Sequence, residues 1–158
     1  MSRQTVNDTF ILQIPDHYEP MSAEDLRELS RNGGDPYQWG VRDRENHVMI
    51  VASWKEYPAL LARLADLKSI ARKNEQLTGG VYEGHDYRLL GFCSMQAGDV
   101  KAEGYRFSCR AEGVAQVMNS FLIKDGKTVY AFLCCGWEEN TAADQAVFRE
   151  ILESLQYM

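Results

Sequence analysis

No stretch of this sequence approaches the ~20 consecutive apolar residues that a bilayer-spanning helix needs. The longest apolar run, Val129 to Cys135, has the length of a strand. The opening residues, Met-Ser-Arg-Gln-Thr-Val-Asn-Asp, hold neither an apolar core nor a small-residue cleavage site. They therefore do not read as a signal peptide, and a cytoplasmic location without membrane insertion is expected. Positive charge is also scarce. Against 23 Asp and Glu there are 17 Lys and Arg, a net charge of −6. That balance argues against a nucleic-acid partner, which would need clustered bases to meet phosphates.

Chemistry-bearing patterns are equally thin. The histidines are His17, His47 and His85, and none lies two to five residues from another histidine or from a cysteine, so no local zinc pattern exists. No metal and no cofactor is expected. There is no G-x-S-x-G, no P-loop and no dinucleotide fingerprint. Gly33-Gly34 and Gly79-Gly80 read as helix stops. Four cysteines, Cys93, Cys109, Cys134 and Cys135, all lie inside apolar runs. Without a secretory signal, free buried thiols are the expectation. Cys134 and Cys135 are neighbours in a strand and point to opposite faces.

What is present is a pattern of elements. A chain of 158 residues, 45% apolar and 25% charged, has the size and composition of one globular domain spanning 1–158. Phe10, Leu12 and Ile14 alternate along a strand that Pro15 ends. Ser22 caps a short helix with Glu24 and Asp25 in its first turn, Leu26 and Leu29 facing inward and Asn32-Gly33-Gly34 stopping it. Strands follow at about Tyr37–Arg42 and His47–Trp54, the second apolar on both faces as a central strand would be. Leu60, Leu64, Leu67 and Ala71, with Leu61 beside them, predict one amphipathic helix over about residues 58–76. Four strand-like runs occupy residues 85–137. A final helix starts at Thr141, with Asp144 placed as in a capping box and Val147, Phe148, Ile151, Leu152 and Leu155 as the buried stripe. Most strand connections are hairpins. The fold class is therefore α+β, with a largely antiparallel sheet of six to seven strands.

The turns set a register. Asp125-Gly126 as a two-residue turn pairs Phe121 with Tyr130 and Asn119 with Phe132. Glu112-Gly113 pairs Phe107 with Met118, Arg106 with Asn119 and Arg110 with Ala115. Gly98-Asp99 sets Gly91 beside Arg106 and Tyr87 beside Arg110. One face would then carry a polar cluster of Tyr87, Arg106, Ser108, Arg110 and Asn119, with room left by Gly91. Two arginines beside a gap could hold a carboxylate or phosphate. They could equally form a solvated sheet end bonded to surface acids. A second candidate is the loop Gly34-Asp35-Pro36-Tyr37-Gln38-Trp39-Gly40. Tyr37 and Trp39 would serve there either as protein contacts or as core. In this register Cys109 and Cys135 share a face two strands apart, too far for a disulfide.

Phe10-Ile11-Leu12-Gln13-Ile14-Pro15 with Tyr18 near the start, and Phe148, Ile151-Leu152 and Ser154-Leu155 near the end, resemble the PsbP-like and DcrB-like α/β/α sandwich superfamily. This is the fold shared with a small Ran-binding protein. The resemblance implies an antiparallel sheet with helices on both sides. It also implies a non-enzymatic binding or accessory role, in some DcrB-like members a chaperone-like one, and it supplies no catalytic residues. The expected partner is an unknown protein or a second copy of the chain. The competing reading is a binding protein for a small anionic ligand, or an enzyme, that uses the arginine-lined face.

Overall fold

The alternation at Phe10, Leu12 and Ile14 becomes strand β2 (Phe10–Ile14), with all three side chains buried. It does not stand alone. Strand β1 (Ser2–Val6), which the sequence reading passed over, folds back on it through Asn7-Asp8. Both turn residues have positive φ, 52° and 49°, and Thr9 N–H donates to the Val6 carbonyl at 3.0 Å. Asn and Asp tolerate that conformation, so the turn signal was in the sequence. The computed structural model describes residues 1–32 and 36–158, so Gly33, Gly34 and Asp35 lie outside the described residues.

The remaining elements are β3 (Glu19–Pro20), α1 (Ala23–Leu29), β4 (Trp39–Asp43), β5 (Val48–Glu56), α2 (Ala59–Leu64), α3 (Leu67–Val81), β6 (Arg88–Ala97), β7 (Val100–Ala111), β8 (Val114–Asp125), β9 (Thr128–Trp137), α4 (Thr141–Glu153) and β10 (Gln156–Tyr157). A seven-stranded antiparallel sheet runs β3-β4-β5-β9-β8-β7-β6, and a three-stranded one runs β1-β2-β10. The small sheet and α4 cover one face. There Phe10, Leu12, Phe148, Ile151 and Leu152 join Ile50, Ala52, Phe121, Tyr130 and Phe132 in the main core. On the opposite face α3 packs Ile70 and Ala71 on Leu122 and Val129. Nearby, Tyr105, Phe107, Cys109 and Met118 form a third cluster, with Tyr82 and Tyr87 against it. α1 lies on that same face, with Leu26 against Gly40 beside Val51. Helices therefore flank both sides of a largely antiparallel sheet, the pairing as the hairpin pattern predicts and the helices on both faces as the resemblance implies.

Four local expectations are corrected. The helix over 58–76 is two helices. Asp66 has extended backbone and its carboxylate accepts from Ser69 N–H at 2.9 Å, so it caps α3 and ends α2. A cap was favoured over continuous periodicity. Leu60, Leu61 and Leu64 are consequently exposed rather than buried. Gly79-Gly80 lie inside α3, which runs on to Val81. At the start of α4, Thr141 is already helical, and its hydroxyl donates to the Glu138 carbonyl at 2.7 Å. Asp144 is not a capping partner but turns inward over Gly136, where a Cβ would collide with its Oδ2.

The fourth correction is register. Asp125 pairs with Thr128, so Gly126-Lys127 is the turn, Phe121 faces Phe132, and Asn119 faces Cys134. Positive φ falls on Gly126 alone, at 59°, which suits a turn with glycine in its first central position. The shift is two residues, so every side chain keeps its face. The Glu112-Gly113 register holds as expected: Phe107 faces Met118, Arg106 faces Asn119, and Arg110 faces Ala115.

Candidate functional site

Gly91, Arg106 and Asn119 sit side by side on β6, β7 and β8. A Cβ on Gly91 would meet open space, so the gap expected there exists. Asn119 is buried, and its side-chain oxygen accepts from the Cys93 thiol at 3.8 Å. Burial pushes the Cys93 pKa up, while the nearby positive charge of Arg106 pulls the other way. The strip is thus an exposed arginine over a half-buried thiol and a buried amide.

The other expected members are elsewhere. A β-bulge between Leu89 and Gly91 takes up one residue, and Gly91 accepts it at φ 152°. Beyond the bulge the side-chain alternation inverts, so Arg88 pairs with Ser108 and Tyr87 does not face Arg110. Tyr87 packs on Phe107 instead, on the α3 face, and its hydroxyl donates to Glu75 at 2.8 Å. Desolvation, and then this bond, raise its pKa. Arg110 turns to the hairpin end, donating to the Gly113 carbonyl at 3.0 Å and lying 3.9 Å from Asp86. Four residues along one strand span ~13 Å, so the two arginines do not converge on one anion.

Trp39 and Tyr37 part company. Trp39 packs against the main core, beside the buried Val41. Tyr37 precedes β4, is half-buried, and its backbone N–H donates to Ser30 Oγ at 3.1 Å. Burial raises its pKa, with Cys135 and Tyr105 adding to the effect, which places it on the α3 side. Of its loop, Gly34 and Asp35 lie outside the described residues.

Two features escaped the sequence reading. At the sheet end near α4, the buried carboxylates Asp43 and Asp144 approach each other. Asp43 accepts from Asn46 Nδ2 at 2.6 Å and lies 3.2 Å from His17 Nε2. Asp144 Oδ2 has no hydrogen-bond partner, and desolvation, then Asp43, push its pKa up to about 6. Gly136 leaves the room this acid occupies, since a Cβ there would collide with its Oδ2, and no sequence spacing signals it. The other feature is a cavity of about 290 Å³ between α3 and the sheet edge, lined by Lys68, Arg72, Phe92, Ser94 and Glu103 among others. Glu103 accepts from Ser94 Oγ at 2.6 Å and pairs with Lys101 at 3.4 Å. Among the described residues, no cluster of three or more His, Cys, Asp or Glu could hold a metal. His47 stacks on Trp137 with centroids 3.6 Å apart, a structural use of that histidine.

No family model matches this sequence, and no curated protein does. Solved structures do. The solution structure of cyanobacterial PsbP (CyanoP) from Synechocystis sp. PCC 6803 is similar at 10% identity and a TM-score of 0.73, over 99% of this chain and 92% of that one. LpqN of Mycobacterium tuberculosis, described as involved in cell envelope biogenesis, is similar at 15% identity and a TM-score of 0.62, over 94% of this chain and 83% of that one. A protein of Bacteroides thetaiotaomicron VPI-5482 shares 10% identity at a TM-score of 0.55, with 94% of this chain covered and 45% of that one. An antiparallel sheet with a helix-and-hairpin layer on one side and helices on the other defines the class. The particular fold is PsbP-like.

Proposed function

We propose that this chain is a non-enzymatic accessory protein that binds a protein partner, a chaperone-like role included. The observation that carries this reading is α2. Its leucines Leu60, Leu61 and Leu64 are 68%, 54% and 74% exposed, in a helix of six residues. Single exposed leucines are ordinary, but three within five residues form a patch suited to a contact surface. The fold supports the reading, since the PsbP-like resemblance implies an accessory role and LpqN is described as involved in cell envelope biogenesis. Four unpaired cysteines favour a reducing compartment such as the cytoplasm.

The test is affinity purification from the source cells with wild type and with the variant L60S/L61S/L64S. Wild type should retain a reproducible partner, and the variant should lose it at an unchanged melting temperature. A wild-type protein that stays monomeric and captures nothing would overturn the reading.

A further inference from the structure

The two edges of the seven-stranded sheet are built differently. At one edge β3 is two residues long and reads Glu19-Pro20, both exposed. A short edge strand with a charge and a proline resists pairing with other chains. At the other edge β6 is ten residues long, and from Leu89 to Ala97 it has no charged residue and no proline. Leu90 and Phe92 on it are 51% and 50% exposed. Ala97 and Val100 close the Gly98-Asp99 turn, so their backbone groups bond across it. By alternation Phe92, Ser94 and Gln96 direct their N–H and C=O groups outward. Among the described residues no backbone bond from any other element reaches them.

Charge flanks this open edge on both faces. Lys68 and Arg72 of α3 line the cavity against Phe92 on one side. Arg88, and Arg106 one strand in, lie on the other, and all four are exposed. The one acid lining the cavity, Glu103, is buried and held by Ser94 and Lys101. In a chain of net charge −6 this is a local reversal of sign.

We infer that β6 is a strand-addition site for an extended, acidic segment of a partner protein, its main chain pairing with Phe92, Ser94 and Gln96 and its carboxylates meeting Lys68, Arg72, Arg88 and Arg106. Strand addition draws affinity from main-chain bonds and specificity from alternate side chains. The basic rim selects the occupant. In a two-fold pairing of β6 with β6 of a second copy the same faces meet, and Lys68 and Arg72 would oppose their own kind. The inference rests on the protein-binding reading above and gives that reading a second surface, distinct from α2.

The test uses the full chain and a fluorescent ten-residue peptide in which pairs of glutamates alternate with pairs of valines, so that carboxylates reach both faces, against a control with lysines in place of the glutamates. The glutamate peptide should bind, with affinity falling as salt rises above about 0.15 M. The lysine peptide should not. Gln96→Pro removes an outward donor on the exposed edge, and the pair Lys68→Glu and Arg72→Glu reverses one rim. Each should weaken binding about tenfold or more, while L60S/L61S/L64S leaves it unchanged. No binding, or equal binding by all variants, overturns the inference. So does a wild-type dimer in sedimentation that Phe92→Lys dissociates, since the occupant is then a second copy. If the cellular partner is retained by the edge variants, the edge site fails and the protein-binding reading stands. If wild type retains none, that reading fails instead.

Discussion

Asp144 shows what a buried carboxyl does to stability. Its native pKa, raised to about 6 by burial and by Asp43, exceeds the unfolded value near 4. The folded state therefore binds this proton more tightly than the unfolded state. The resulting stabilisation is fully present below about pH 4 and is lost as pH rises through about 6. The groups around it are Asp43, Tyr18 and Cys134, with His17 on the far side of Asp43. Asp144→Asn removes this titration. Urea unfolding should show the variant more stable than wild type by about 2 kcal/mol at pH 7.5, with the two converging near pH 4. A constant offset across that range would exclude the linkage.

At the scale of elements, one side chain decides whether residues 58–81 form one helix or two. Asp66 bonds both the backbone N–H and the hydroxyl of Ser69, at 2.9 and 3.0 Å. Its own pKa is lowered by these bonds. Asp66→Ala should cost about 1 kcal/mol in denaturant melts, the usual loss for an N-cap. The same cap begins α3 where α2 ends, and Leu60, Leu61 and Leu64 of α2 are exposed. The periodicity of the leucines was legible in the sequence. The break at Asp66 was not read there, and it is fixed where α3 finds its packing surface on Leu122 and Val129.

At the scale of the molecule, all four thiols are free and all have raised pKa values, because the layers desolvate them. Cys135 is pushed up to about 12. Thiolate is the reactive form, so a thiol reagent at pH 7.5 should react slowly with the native protein and promptly with four groups in urea. Cys93, half-buried on the edge strand, should react first. Rapid native reaction of any one thiol would point to redox chemistry instead.

The sequence by itself determined the fold class, the antiparallel sheet and the faces of its central strands. Turn chemistry and two-residue alternation are local, and a slip of two residues, as between β8 and β9, leaves faces intact. Tertiary structure alone decided the sites. The bulge at Leu90 moved Tyr87 to the α3 side, Gly136 left the room that Asp144 fills, and sheet order left β6 at an edge with bases on both faces. Each of these depends on which backbones approach which, a property of packed layers that no spacing along the chain encodes.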